Sequence, residues 1–158
     1  MRVSIITISD SVSSGQREDV SGKALAQRCS GLGWEVTSAS IVPDEEALIR
    51  AQLLALADAG KLDLVLTTGG TGLGPRDVTA EATAAVANRI VPGLAERMRQ
   101  VGAAKNPNAV LSRAVVAIRG TTLIVNLPGS PRGAVESFDA IAELLPHAVS
   151  VLHGARHD

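Results

Sequence analysis

The sequence LDLVLTTGGTGLGPRDVTAEAT, residues 62–83, contains the elements that decide the fold. It begins with a short apolar run that predicts a buried strand over residues 62–67. A segment of helical period follows at about residues 79–87, where Thr79 stands at a predicted helix start. Between strand and helix lies a turn with four glycines. A strand that passes through a tight turn into a helix is one step of a βαβ unit, and the rest of the chain repeats that step.

Short apolar runs alternate with longer segments of helical period on both sides of this stretch. Further strands are predicted at residues 3–8 and 35–42, and a β-hairpin at residues 114–118 and 121–127. Further helices are predicted at residues 20–32, from residues 43–46 to about 59, at residues 92–103 and from Pro131. The alternation favours an α/β fold, a three-layer αβα sandwich with a mostly parallel sheet plus the hairpin near residues 114–127. Since no linker or repeat interrupts it, residues 1–158 are expected to form a single domain.

The composition is that of a neutral domain, with 46% hydrophobic residues and 15 Lys and Arg against 16 Asp and Glu. A formal net charge of −1 argues against a protein that neutralises nucleic-acid phosphates over a broad surface. No stretch approaches the roughly 20 apolar residues that a membrane span requires, and nothing at the N-terminus is typical of a targeting signal. The single cysteine, Cys29, excludes an internal disulfide and suits the cytoplasm. We therefore expect a cytoplasmic protein without nucleic-acid or membrane partners.

The glycine-rich turn is the strongest candidate for ligand binding. In open α/β sheets the ligand crevice lies beyond the carboxyl ends of the strands, where this turn begins. Its glycines let the backbone approach a ligand and aim amide groups at an anion. Neither a Walker A loop nor a dinucleotide fingerprint is present, because Pro75 and Arg76 stand where those motifs need other residues. An ordinary turn remains the alternative, although a turn requires neither Arg76 nor Asp77. The binding candidates in this turn are Gly69, Gly70, Thr71, Gly72 and Arg76.

Asp44 follows the second predicted strand and has two possible roles. It could cap the next helix through its side chain, a common use of Asp before a helix. It could instead form a pair of carboxylates with Asp77, which follows the neighbouring strand. Two carboxylates beside a phosphate-binding loop would repel the substrate unless a cation lay between them, and Mg²⁺ prefers such oxygen ligands. Asp44 and Asp77 are therefore the candidate catalytic residues and the candidate Mg²⁺ ligands, directly or through water.

Three further loops contribute weaker candidates. The polar loop after the first strand contains Asp10, Ser11 and Ser14. Taken alone, this loop fits a solvent-exposed connection as well as it fits a binding site. The stretch after the hairpin is stiffened by two prolines, and Pro131 in the first helical turn would leave neighbouring amides free for an anion. Its candidates are Pro128, Gly129 and Ser130, with Ser112 before the hairpin as a further one. The histidines at 147, 153 and 157 are expected on the surface.

Taken together, these loops resemble the molybdopterin-binding family of molybdenum cofactor biosynthesis, of the MogA/MoaB type. The resemblance covers nearly the whole chain and rests on four stretches: SDSVSSGQREDVSG (9–22), VPDE (42–45), TTGGTGLGPRDVTAEAT (67–83) and LSRAVVAIRGTTLIVNLPGSPRGAVES (111–137). The glycine stretch combined with LPGSP is far more specific than either loop alone. Two positions depart from the usual pattern of the family, because Ser11 stands in place of an arginine and Ala80 in place of a proline.

The resemblance implies a three-layer α/β fold, a homotrimer and the binding of molybdopterin. Members with MogA-type activity transfer the adenylyl group of ATP to the terminal phosphate of molybdopterin, with Mg²⁺ required and pyrophosphate released. It also implies that Asp44 and Asp77 are the two essential acids and that the product passes to a molybdenum insertase. With the residues read in this light, we expect the amides of residues 69–72 and the Thr71 hydroxyl to hold one phosphate group.

Three alternatives remain at this point. A MoaB-like relative could bind or carry molybdopterin without adenylating it. Retention of both acids favours the enzyme, whereas Ser11 in place of the usual arginine argues against a complete active site. A general nucleotide- or flavin-binding α/β protein would need no special Asp44 and would leave the loop match unexplained. A part of a molybdenum insertase is disfavoured, since 158 residues leave no room for its additional domains.

Overall fold

The computed structural model describes residues 1–156, and its centre is a sheet of six strands. In chain order the strands are β1 (Arg2–Ile8), β2 (Glu35–Val42), β3 (Leu64–Thr68), β4 (Arg89–Ile90), β5 (Val116–Arg119) and β6 (Thr122–Leu127). Their order across the sheet is β2-β1-β3-β6-β5-β4. The first four of these are parallel neighbours, whereas β5 pairs antiparallel with both β6 and β4. The predicted mostly parallel sheet and its hairpin are therefore confirmed.

Helices cover both faces of the sheet. They are α1 (Asp10–Ser13), α2 (Val20–Gly31), α3 (Glu46–Asp58), α4 (Thr79–Val86), α5 (Pro92–Lys105), α6 (Pro131–Ile141) and α7 (Leu145–Leu152), with 3₁₀ turns at Pro107–Leu111 and Ala142–Leu144. One buried cluster packs Leu25, Met98 and Phe138 against one face of the sheet. A second packs Ile49, Leu53 and Val86 against the other face. The three-layer αβα sandwich is confirmed, and no described helix is long and apolar enough to cross a membrane.

The strand order reverses between β1 and β3, and this reversal determines where a ligand can bind. The crossover from β1 to β2 contains α2, and the return from β2 to β3 contains α3 on the opposite face. The loop that leaves β1 leads to α2 on one face and the loop that leaves β3 leads to α4 on the other, so these two loops diverge and open a crevice at the carboxyl edge of the sheet. Both the polar loop after β1 and the glycine-rich turn after β3 belong to that edge.

The structure differs from the predicted elements in several places. The helix predicted from residues 43–46 begins only at Glu46, and the polar loop after β1 contains the short helix α1. The last predicted helix is divided, because the chain passes through a 3₁₀ turn before α7, which has Pro146 in its first turn. The buried residues of α6 are Ala134, Phe138 and Ile141. His147 and His153 are exposed as expected, whereas His157 lies outside the described residues.

Candidate functional site

A cleft of about 670 Å³ opens at the carboxyl ends of β1 and β3. Both candidate acids line it, from opposite loops. The N-terminal residues of α2 and α6 also face it, so the partial positive charge of two helix ends points toward the acids. Its polar lining includes Thr7, Ser9, Arg17, Glu18, Ser21, Asp44, Thr68, Asp77 and Ser130. The cleft therefore combines carboxylates with groups that favour anions.

The glycine-rich turn is built by close contact with two strands. Gly69 adopts φ +110° and Gly70 φ +70°, a region that favours glycine. A Cβ at Gly69 would overlap the carbonyl oxygen of Ile8 at the end of β1. On its other side the Gly70 carbonyl accepts the Thr79 amide at 3.1 Å, while the Thr79 hydroxyl donates to the Gly69 carbonyl at 2.9 Å. The turn is thus fixed against β1 and the start of α4.

One expectation about this turn is wrong. The Gly69 amide, predicted to hold a phosphate, donates to the Leu127 carbonyl at 3.0 Å and joins the turn to the end of β6. The amides of Gly70, Thr71 and Gly72 donate to no acceptor within residues 1–156. Those three amides, not four, are the donors that the turn offers to an anion.

Asp77 lies at the end of the same loop, half-buried, with its carboxylate turned back onto the glycines. Its Oδ2 accepts the Gly74 amide at 2.9 Å, and its own amide donates to the Gly74 carbonyl at 3.0 Å. A Cβ at Gly72 would come within 2.9 Å of the same oxygen. Small residues at both positions therefore let the carboxylate lie close to the turn.

Asp44 does not cap α3, so the capping alternative is wrong. The residue before that helix is Glu45, which makes no side-chain cap. Asp44 Oδ2 instead accepts a hydrogen bond from the amide of Asp10 at 2.9 Å. Burial is the largest cause that raises the pKa of Asp44; the Asp10 amide opposes it, and the charges of Asp10 and Asp77 add to it. A nearby positive charge would therefore stabilise the ionised form of the Asp44 carboxylate.

Asp10 and Arg76 form an ion pair rather than a free pair of binding groups. Arg76 Nε and NH2 donate to the two Asp10 oxygens at 3.0 and 3.1 Å. The Arg76 guanidinium is the main reason that the pKa of Asp10 lies below its ordinary value. Asp10 was expected to contact substrate, but both of its oxygens already accept protein donors. Its carboxylate therefore supports the loop instead.

The other predicted residues divide between two clefts. A second cleft of about 490 Å³ is lined by Leu73, Ala109 and Leu111 together with the predicted Thr71, Gly72, Ser112, Pro128 and Ser130. Gly69, Gly70 and Gly129 line the first cleft, and Ser130 lines both. Four predicted residues line neither cleft: Asp10, Ser11, Ser14 and Arg76. Sequence reasoning missed Arg17 and Glu18, which line the first cleft, although both belong to the charged loop after β1.

The acids fit a Mg²⁺ ion that arrives with substrate phosphates. Asp44 Oδ1 and Asp77 Oδ1 accept no hydrogen bond from the described residues, so each carboxylate keeps one oxygen for a ligand. Within residues 1–156 no cluster of three or more His, Cys, Asp or Glu forms a complete protein cage for a metal. Mg²⁺ usually takes one or two carboxylates and fills its remaining positions with water and phosphate oxygens.

Comparison with known proteins gives a consistent result over the whole chain. A family model described as a probable molybdopterin binding domain matches residues 4–147. A molybdopterin adenylyltransferase of Helicobacter pylori is 38% identical over 98% of this chain and 89% of its own length. The Escherichia coli K12 protein of the same name is 40% identical over 98% of this chain and 79% of its own length. The structure of a molybdopterin biosynthesis enzyme, MoaB of Thermus thermophilus, superimposes with a TM-score of 0.92, 50% identity and 99% coverage of both chains.

Proposed function

This chain belongs to the molybdopterin-binding family, and we propose that it is a molybdopterin adenylyltransferase of molybdenum cofactor biosynthesis. Its substrates would be molybdopterin and ATP, and its products adenylyl-molybdopterin and pyrophosphate. One observation carries the proposal. Asp44 and Asp77 line a single cleft with Gly70, and each acid has one oxygen free of protein donors; the amides of Gly70 and of Thr71 and Gly72, which line the second cleft that shares Ser130, donate to no acceptor in the described residues.

The reaction is an in-line displacement at phosphorus, for which positioning and charge neutralisation supply most of the catalysis. An oxygen of the terminal phosphate of molybdopterin attacks the α-phosphorus of ATP. The bond to the β-phosphate bridging oxygen breaks, and pyrophosphate leaves with that electron pair. When bound, Mg²⁺ would neutralise phosphate charge and lower the barrier to this attack.

The residues of the chain would orient and hold the phosphates. Asp44 and Asp77 would hold Mg²⁺, directly or through water, with the oxygens that face away from their amide partners. The amides of Gly70, Thr71 and Gly72 and the Thr71 hydroxyl would donate to phosphate oxygens. The N-terminal ends of α2 and α6 add partial positive charge on the far side of the cleft. Ser130 lines both clefts, so two substrates bound side by side would meet next to it.

The remaining parts of the proposal concern the cell and the assembly. We propose a homotrimer that works in the cytoplasm and passes adenylyl-molybdopterin to a molybdenum insertase, as the family resemblance implies. Light scattering coupled to size-exclusion chromatography tests the assembly, with a mass of about three times the 16.2 kDa chain as the expected result.

A second candidate is a molybdopterin carrier without transferase activity. Two observations favour it: the 50% identity to a structure named MoaB, and Ser11 at a position where the family usually has arginine. It predicts molybdopterin binding without turnover.

The test is an anaerobic incubation of purified protein with molybdopterin, ATP and Mg²⁺. Adenylyl-molybdopterin and pyrophosphate in equal amounts would support the transferase. Bound molybdopterin without either product would support the carrier. A folded protein that neither binds nor reacts would contradict both.

A further inference from the structure

Arg113 connects three parts of the glycine-rich loop although it contributes to neither cleft. Its Nε donates to the Gly72 carbonyl at 2.8 Å, and its NH2 donates to the Asp77 carbonyl at 2.7 Å. Its NH1 pairs with the Glu81 carboxylate in the first turn of α4. Its own amide donates to the Thr71 carbonyl at 2.8 Å. A single residue thus contacts both ends of the 71–77 loop and the helix that follows.

Every nitrogen of the Arg113 guanidinium donates to a protein acceptor. Arg113 is half-buried, and its three nitrogens each have a partner in the loop or in α4. A planar fork with five N–H groups can reach acceptors in three directions, whereas a lysine ammonium on a flexible stem cannot span them together. The loop itself consists largely of glycines, so it has little side-chain packing of its own to keep its shape.

We propose that Arg113 is a positioning residue for adenylyl transfer, which orders the 71–77 loop and thereby orients the Asp77 carboxylate and the amides of Thr71 and Gly72 toward the cleft. This inference rests on the proposed function. Arg113 acts through Asp77 and touches neither substrate. Its removal lowers kcat more than it raises KM, because the loop supplies Asp77 and only part of the phosphate contacts, while the binding surfaces outside the loop stay intact.

The chain offers a matched control at the other end of α4. Arg119 pairs with Asp58 through two hydrogen bonds of 2.7 and 3.0 Å, and its NH1 donates to the Val86 carbonyl at 2.9 Å. Like Arg113, it therefore pairs with one acid and donates to a backbone carbonyl, but it lies away from both clefts. Arg119→Lys should change stability in the same way and leave the loop and the activity unchanged.

The experiment measures hydrogen exchange of the loop and turnover on the same variants of the full chain. Arg113→Lys and Arg113→Gln are compared with Arg119→Lys and with Glu81→Gln, which keeps both carbonyl contacts of Arg113. Exchange of the Gly74 and Asp77 amides, which are hydrogen-bonded within the loop, should rise on the order of tenfold in both Arg113 variants and stay near the wild-type rate in both controls. In the transferase assay, kcat should fall about 10–100-fold in the Arg113 variants. Arg113→Lys added to Asp77→Asn should cause a smaller loss than Arg113→Lys causes alone, because the contribution through Asp77 is already absent.

The outcomes separate this inference from the proposed function, since hydrogen exchange needs no activity. Wild-type exchange rates at Gly74 and Asp77 in both Arg113 variants would overturn the positioning role. Faster exchange throughout the sheet as well as the loop would also overturn it, because the arginine would then be a general structural residue. A raised KM with unchanged kcat would mean that Arg113 binds substrate. If the wild type has no transferase activity, the hydrogen-exchange rates of the variants alone test whether Arg113 orders the loop.

Discussion

Asp10 and Asp44 are joined by two reciprocal hydrogen bonds beside the first cleft, which Asp44 lines. The Asp10 amide donates to Asp44 Oδ2 at 2.9 Å, and the Asp44 amide donates to Asp10 Oδ1 at 3.0 Å. These reciprocal bonds join the loop after β1 to the loop after β2, and Arg76 secures the outer side of Asp10. The orientation of a proposed catalytic acid thus depends on Asp10, whose two oxygens both accept protein donors.

The first prediction is that Asp10→Ala slows adenylyl transfer without unfolding the protein. The variant loses the acceptor for the Asp44 amide, so the Asp44 carboxylate is less well oriented, and kcat should fall about tenfold. Stability should change little, because exposed ion pairs contribute little. Kinetics and urea unfolding of the same preparation give both values. The control is Asp58→Ala, which removes a similar bidentate ion pair with Arg119 far from the cleft. Equal turnover in the two variants would refute the role of Asp10.

The second prediction concerns the shape of the glycine-rich turn. Gly69→Ala places a Cβ against the Ile8 carbonyl at a φ of +110°, and we expect it to cost about 3 kcal/mol or more of the free energy of unfolding. Gly120→Ala is the control, because Gly120 has φ +59° in the hairpin turn and no heavy atom within 4 Å of the new Cβ. That variant should cost about 1 kcal/mol. Guanidinium unfolding measures both, and equal losses would show that the close contact with β1 has no energetic weight.

The third prediction concerns Cys29, which is fully buried in α2. Burial raises the pKa of its thiol to about 11, so at pH 8 only about one molecule in a thousand carries the reactive thiolate. Native protein should therefore react with iodoacetamide at least about 100-fold more slowly than protein in urea. As pH rises from 9 toward 11 the unfolded chain ionises first, so this thiol favours unfolding over that range. Mass spectrometry follows the alkylation, and native labelling at the unfolded rate would contradict the buried position.

The strands, the hairpin and the pair of acids could be predicted because their signals are local. Apolar runs and turn residues indicate strands wherever they occur, and the carboxyl ends of parallel strands bring Asp44 and Asp77 to one edge. The strands that precede the two acids were predicted to be neighbours, which is wrong, because β1 lies between β2 and β3. The family model and the relatives agree with the motifs from which the resemblance was inferred.

The parts that could not be predicted depend on contacts between residues far apart in the chain. The ion pair between Asp10 and Arg76 joins residues 66 positions apart. The Gly69 amide is used by the Leu127 carbonyl of a different strand, and Arg113 reaches the Asp77 carbonyl 36 positions away. None of these acceptors is visible in a local pattern. They appear only when the sheet order has brought the loops together.

The fourth prediction is also the most direct test of the account. Anaerobic turnover of ATP and molybdopterin should be measured for the wild type, Asp44→Asn and Asp77→Asn. The wild type should form adenylyl-molybdopterin and pyrophosphate, and each variant should be slower by about a hundredfold or more, because each loses one negative charge that faces Mg²⁺ and phosphate. Circular dichroism and thermal unfolding should stay close to the wild type, since neither side chain is part of the hydrophobic core. Near-normal turnover in either variant would contradict the central claim that the two carboxylates form one catalytic site.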